Sequence, residues 1–423
     1  MAGPASLLLD QASGLDRPTR HNLMALGLDF ALFLIGMSFA PHQTILPAFA
    51  AHLGAPNVVI GAIPAVMTAG WLLPSLFVAH HTETLARKLP FILKYTVWER
   101  VPFPALALVA FLLAEPAPRL ALVLLLGLLL VMTGIGGVLM PAWMDVMGRT
   151  IPTSLRGRFF ALAHLVASLG GVVASLASAY ILAAHAPPAG YGVCFLAGAV
   201  FLGLSYLALL RAREPEAVET SPPVPLRTYL SRIPAVMRRD RNLSWFLAAR
   251  LCGVIGTMAT GFYTVFALRA HAASDWQVAL FTTLLLVGQM VGNLGLGWLA
   301  DRAGHRLVLL AGVAATVVGN LVALAASSLE TFSLVFPLSG IHLAAINISA
   351  RTVLLEFAPT VGERPTYLGL GNTALAPVSL GAPLLAGVLA DTLGFGTIFA
   401  LAAGFGIIAF ILTARVRDPR RNR

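Results

Sequence analysis

The sequence predicts an all-α membrane protein, with twelve transmembrane helices arranged as two six-helix pseudo-repeats. Three observations lead there. Hydrophobic residues fill 58% of the 423 positions and charged residues only 11%, against about 25% charged in an average soluble domain. The charges crowd into short stretches between long apolar runs. Those runs have the length, about 20 residues, that a helix needs to cross a hydrocarbon core of roughly 30 Å. A soluble chain of this composition could not cover its own surface with polar groups.

The expected spans are 24–47, 58–79, 89–113, 120–143, 159–184, 191–210, 243–268, 277–300, 306–327, 332–355, 366–390 and 394–414. None alternates apolar and polar residues as barrel strands of about ten residues do. In lipid the backbone must be satisfied within its own segment, so each run reads as a helix. Residues 1–22 hold Asp10, Asp16, Arg17 and Arg20 and no short apolar core. No cleavable signal is therefore expected, and the first helix itself directs insertion. Cys194 and Cys252 both fall inside spans and read as small apolar residues, not as a disulfide.

The basic residues set the orientation. Lys94, Arg100 and Arg250 fall within spans, and only Arg119 and Arg269 fall in loops on one side. The bases of the other side place it in the cytoplasm, with both termini there and the chain in a plasma (inner) membrane. The net charge of +10 is then a topology signal. Nucleic acid is not an expected partner, because the bases are scattered and no aromatic platform stands among them.

Residues 211–242 form the longest polar stretch and hold Pro215, Pro222, Pro223, Pro225 and Pro234. They read as a cytoplasmic linker between an amino-terminal bundle, 1–210, and a carboxy-terminal bundle, 243–423. The bundles resemble each other. Asn22-Leu23 opens one and Asn242-Leu243 the other, while Pro152, Arg156 and Phe159 are echoed by Pro359, Arg364 and Tyr367. A duplicated unit of this kind places a binding site between the halves, near the membrane midplane.

The loop after the eighth span reads Gly297-Trp298-Leu299-Ala300-Asp301-Arg302-Ala303-Gly304-His305-Arg306. It resembles the signature loop of the major facilitator superfamily, G-x-L-A-D-R-x-G-R-[RK], with His305 in place of a base. Glycine permits a tight turn there, Asp301 can cap a neighbouring helix end, and Arg302 and Arg306 hold the loop in the cytoplasm. The equivalent loop of the first half, His80 to Lys88, keeps only an acid followed by bases. The segments Met140 to Asp145 and Arg156 to Phe160 are similar to a little-described prokaryotic branch of the family. The resemblance implies a twelve-helix fold, alternating access, a small-molecule substrate and no enzyme chemistry. It also implies that spans 5 and 8 meet between the halves and that spans 1, 7 and 10 line the central cavity.

Intramembrane charges are costly and usually functional. Asp29 and Arg250 stand at matching depths in spans 1 and 7 and are the first candidates for substrate or proton coupling. The other reading is a structural pair near the cytoplasmic mouth. Glu99 and Arg100, in span 3, are expected to be structural and to point apart. His342 in span 10 and the amides Gln289 and Asn293 in span 8 complete the candidate set, with His164, Asn347 and Asn372 behind them. Small residues recur four apart at Gly170, Ala174 and Ser178, at Gly171, Ser175 and Ala179, and at Gly288 and Gly292, which suits close helix packing and sliding. Pro377 and Pro383 are expected to kink span 11. No metal-ligand spacing, cofactor motif or phosphate loop is found.

A secondary active transporter, with protons as the candidate coupling ion and working as a monomer, is the function expected. Span 5 has no proline between Arg158 and Ala186, so the Gly-Pro efflux signature is missing, which weakens a drug-antiporter reading. The alternative is a non-transporting receptor or scaffold of the same fold.

Overall fold

A computed structural model describes residues 16–83, 85–214, 240–357 and 364–417. Most of the expected linker, the first residues of the chain and Pro359 lie outside them. The chain forms α1 (Arg17–Met37), α2 (Ile45–His52), α3 (Asn57–Glu83), α4 (Leu89–Arg100), α5 (Pro102–Leu112), α6 (Pro118–Thr150), α7 (Thr153–Ala184) and α8 (Ala189–Leu209). It continues with α9 (Arg241–Gly256), a 3-10 turn (Thr260–Phe262), α10 (Tyr263–Ala270), α11 (Asp275–Ala303) and α12 (His305–Ala325). The last helices are α13 (Leu329–Ser333), α14 (Val335–Phe357), α15 (Arg364–Leu393) and α16 (Phe395–Arg415). Among the described residues there is no strand.

Nine described helical segments are long and apolar enough to cross a membrane, and Asn57–Trp71 is apolar but shorter. The expected spans 24–47 and 89–113 are interrupted instead of continuous. Pro41 stands in the non-helical stretch between α1 and α2, and Pro102 opens α5 directly after Val101. Proline lacks the N–H that would continue a helix and suits a first-turn position. Span 7 is interrupted too, between Gly256 and Tyr263. By contrast α15 runs unbroken through Pro377 and Pro383. The outer faces carry exposed large apolar side chains, among them Val123, Leu130, Val173 and Tyr180. Such surface is stable against lipid and not against water.

Successive helices run between two ends. The terminal end holds the start of α1 and the end of α16; the loop end holds the turns at 53–56 and 271–274. At the terminal end the same device appears twice. Asn22 donates to the carbonyl of Arg213 and accepts its N–H, both at 2.8 Å. Asn242 does the same to Arg417, at 2.9 and 2.8 Å. Each amide ties the first helix of its group to the residue chain just beyond the last.

Helices α1–α8 pack mainly with one another, as do α9–α16, and the two groups meet where α3 crosses α15 and α7 crosses α11. Close approach depends on glycine at one of these seams and at another inside the second group. A Cβ on Gly340 would lie 2.1 Å from the Leu285 carbonyl oxygen, so α14 and α11 touch backbone to backbone. A Cβ on Gly61 would lie 2.2 Å from the Pro383 carbonyl oxygen, which does the same for α3 and α15. The small-residue stripes divide their work. On α7, Ser175 bonds Thr283 of α11 at 2.8 Å across the groups. On α11, Gly288 and Gly292 face Pro337, Ile341 and Ala344 of α14, inside one group.

Candidate functional site

A buried charge cluster sits inside the first group of helices. The break after α4 leaves Arg100 at the end of that helix, pointing at α1 and α8. Its guanidinium donates to Asp29 at 3.0 Å and to the Ser205 hydroxyl at 2.9 Å. It also donates to the Leu202 carbonyl at 3.2 Å. Ser205 in turn donates to Asp29 at 2.6 Å, and the Trp143 side chain adds a hydrogen bond to the same carboxylate. Phe33 and Tyr206 present ring faces to the guanidinium at 5.4 and 5.9 Å, a favourable arrangement for a cation. Glu99 lies 3.5 Å from Arg100 and accepts from Thr96 at 3.0 Å. Asp29, Glu99 and Arg100 are all buried. One guanidinium therefore faces two carboxylates in a low-dielectric interior, where each unpaired charge is costly.

Here the structure departs from the sequence reading. Asp29 is engaged by Arg100, not Arg250, and Glu99 and Arg100 converge where divergence was expected. Adjacent residues on an ideal helix face different ways, but a long guanidinium side chain can reach past its own turn. The signal that could have found Arg100 was the X-Pro pair Val101-Pro102, which ends a helix at an intramembrane arginine.

Arg250 belongs to a second, separate pocket. Phe246, Ala249, Arg250 and Gly253 of α9 line it with Leu309 and Val313 of α12, His342 and Ile346 of α14 and Thr413 of α16. The structure thus brings together two of the sequence candidates, Arg250 and His342, which the sequence reading did not pair. His342 is buried, and its Nδ1 lies 3.0 Å from the Gly312 carbonyl. Gln289, part-buried, and Asn293, exposed, are on α11 and do not line this pocket. Asn347 and His164 are exposed, and the Asn372 side chain lies outside the described residues.

At the loop end, polar bonds join the two groups of helices. His52 of α2 meets Asp275 of α11 at 2.6 Å, and the Tyr191 hydroxyl donates to the same carboxylate at 2.5 Å. Asp391 of α15 accepts the first free N–H groups of α3, from Asn57 and Val58, at 3.1 and 3.2 Å. A carboxylate at a helix start is favoured by the dipole. Arg269 donates to Asn57 Oδ1 at 2.9 Å and to the Ala55 carbonyl at 3.3 Å. Deeper in, Thr44 bonds Thr282 at 2.6 Å, and Thr264 donates to the Gln43 carbonyl at 3.0 Å. Both reach into the helix break of span 1. Of these groups the sequence reading named only Arg269, as a loop base.

The signature loop closes the terminal end of α11. Gly304 ends the helix at φ 87°, a conformation that favours glycine. Gly297 lies about two turns earlier, within that helix. Arg302 lies over the Trp298 ring at 4.3 Å, and Arg306 donates to the Ala414 carbonyl. His305, the departure from the signature, is buried, 3.1 Å from the Ser349 hydroxyl and 4.0 Å from Glu356. Asp301 is exposed, and no bond from it to a helix end is seen among the described residues.

Residues 266–423 match the family model described as Major Facilitator Superfamily. Over that stretch the chain is similar to major facilitators. Its fold is similar to that of solved transporters. A nucleoside transporter NupG variant superposes with a TM-score of 0.74 at 11% identity, over 94% of this chain and 99% of that one. A D-xylose–proton symporter does so with a TM-score of 0.68 at 14% identity, over 94% and 98%. Among curated relatives, the multidrug transporter MdfA of Yersinia pestis (strain Angola) is 37% identical over 141 residues, 33% of this chain and 34% of that one. The match therefore spans about a third of the length of that relative.

Proposed function

We propose that the protein is a secondary active transporter that moves a small solute across the plasma membrane by alternating access, with protons as the coupling ion. The observation that carries this reading is the row of polar bonds joining the helix groups at the loop end, His52–Asp275 foremost. These are bonds between two bodies, made by side chains and helix caps, and they can be exchanged for water when the bodies rock apart. The conformation is the one closed at the loop end.

The rest of the reading has its own supports. The matched clamps of Asn22 and Asn242 support two duplicated units, 1–210 and 243–423, joined by 211–242. The interrupted pairs α1–α2 and α4–α5, counted with α3 and the nine long helices, support twelve crossings. The distribution of bases supports a cytoplasmic terminal end. Proton coupling is supported by the two carboxylates that share Arg100, since the second has no cation of its own and charge balance leaves it to a proton. The name of the Yersinia relative supports a drug-like solute, and a monomer with no enzyme activity is part of the same reading.

The test is a pair of distance measurements between spin labels on a background with Cys194 and Cys252 replaced by serine. Glu115→Cys with Ala272→Cys reports the loop end, and Arg20→Cys with Arg241→Cys reports the terminal end; all four positions are exposed. Two populations are expected at each end, long at one when short at the other. A single fixed distance at both ends in every pH condition would favour a non-transporting scaffold instead.

A further inference from the structure

We propose that the pocket around Arg250 and His342 is a site for a carboxylate group, and, on the transport reading above, that the transported solute carries one. The reasoning starts from charge. A guanidinium stays protonated in any protein environment. The Arg250 guanidinium makes no hydrogen bond or ion pair to any described residue, although it lines the pocket and is part-buried. The described acidic residues of its helix group, Asp240, Asp275, Asp301, Glu330, Glu356 and Asp391, all stand near helix ends, while Arg250 lies inside α9. The first group of helices is the reverse, with two buried carboxylates to one guanidinium. A lone intramembrane cation without a partner implies an anion that comes from elsewhere.

His342 fits the same visitor. With Nδ1 donating to the Gly312 carbonyl at 3.0 Å, the neutral ring keeps Nε2 as an acceptor for the proton of a carboxylic acid. Protonated, it offers a second N–H to a carboxylate. The Thr413 hydroxyl is already committed to the Ala409 carbonyl at 2.7 Å. The remaining walls, Phe246, Leu309, Val313 and Ile346, are apolar. A planar carboxylate is matched by the fork of a guanidinium, and the pocket, with room for about one water in this state, must widen to admit the body behind it. The pocket lies wholly within α9, α12, α14 and α16, so its occupancy does not require the Asp29 cluster.

The experiment is thermal unfolding of the full chain in a neutral detergent, with benzoate as probe and benzamide as its uncharged isostere. Benzoate at about ten times its dissociation constant is expected to raise the unfolding temperature by roughly 2–4 °C, and benzamide is not. Arg250→Gln should abolish the shift, Arg250→Lys should keep part of it, and Asp29→Asn should leave it intact. Equal shifts with benzoate and benzamide in the unmodified protein overturn the proposal without reliance on any variant. So does a shift produced by phosphatidylglycerol and not by benzoate, which would make the pocket a lipid headgroup site. Benzoate binding without benzoate flux in proteoliposomes supports the carboxylate site and counts against the transport reading alone.

Discussion

Asp29 accepts a hydrogen bond from Arg100 at 3.0 Å, and Glu99, 3.5 Å from the same guanidinium, competes for it. Both carboxylates and the arginine are buried. Removing one partner of such a group strands a charge, and the usual cost is about 3–5 kcal/mol. Arg100→Gln is therefore expected to be the most damaging single change in the cluster, and the double variant Arg100→Gln with Asp29→Asn to recover part of the loss. Thermal unfolding in detergent measures it. Strictly additive losses would mean that the pair is not energetically coupled.

The loop-end latch should hold one conformation. Asp275→Asn weakens the bonds from both His52 and Tyr191, whereas His52→Ala removes one. Charge-assisted bonds contribute on the order of 1–3 kcal/mol, a shift of roughly ten- to a hundredfold in a two-state balance. A cysteine placed at the buried Thr264 should react faster with a membrane-impermeant thiol reagent in both variants, and more so in Asp275→Asn. Unchanged labelling would remove the latch from the account.

Two glycine substitutions separate gating from packing. Gly61→Ala forces α3 away from Pro383 of α15, across the two groups of helices. It should favour the state open at the loop end and raise labelling at Thr264→Cys. Gly340→Ala overpacks α14 against α11 inside one group. It should cost about 1–3 kcal/mol of stability without exposing that position. The opposite assignment of the two phenotypes would contradict the division of the seams described above.

The paired amide clamps should be worth similar amounts. Asn22→Ala and Asn242→Ala each remove two hydrogen bonds to one backbone residue. The Asn22 clamp is part-buried and the Asn242 clamp exposed, so each loss should stay near the net worth of ordinary hydrogen bonds, about 0.5–1.5 kcal/mol apiece. Comparable losses in unfolding temperature are expected, and a large loss from one with none from the other would argue against equivalent roles.

Much of the fold was legible because a membrane imposes one rule on every span: long, apolar and helical. The clamps show how far local pattern carries, since Asn22 and Asn242 were matched from sequence alone. The breaks at Pro41 and Val101-Pro102 were not read, because hydropathy averages over the turn where proline acts. The partners of Asp29 were misread for a related reason. Depth along a helix can be counted from sequence, and it matched Asp29 to Arg250. Which neighbour a buried side chain meets depends on how α1, α4 and α8 pack, and that is not local information. His342 and Arg250 were each visible as costly intramembrane polar residues, but their shared pocket is a product of the same packing. The signature loop was found by its spacing, while the use of His305 as a buried bridge to Ser349 needed the structure.

Flux in proteoliposomes, with and without an imposed pH gradient, tests the central claim most directly. The panel should span sugars, amino acids, organic anions and cationic drugs. The account predicts that at least one class moves faster than in protein-free vesicles, that the pH gradient drives it above its equilibrium level, and that Glu99→Gln removes the gradient dependence while Arg269→Lys does not. No movement of any class, or accumulation that is the same with and without the gradient, would contradict a proton-coupled transporter.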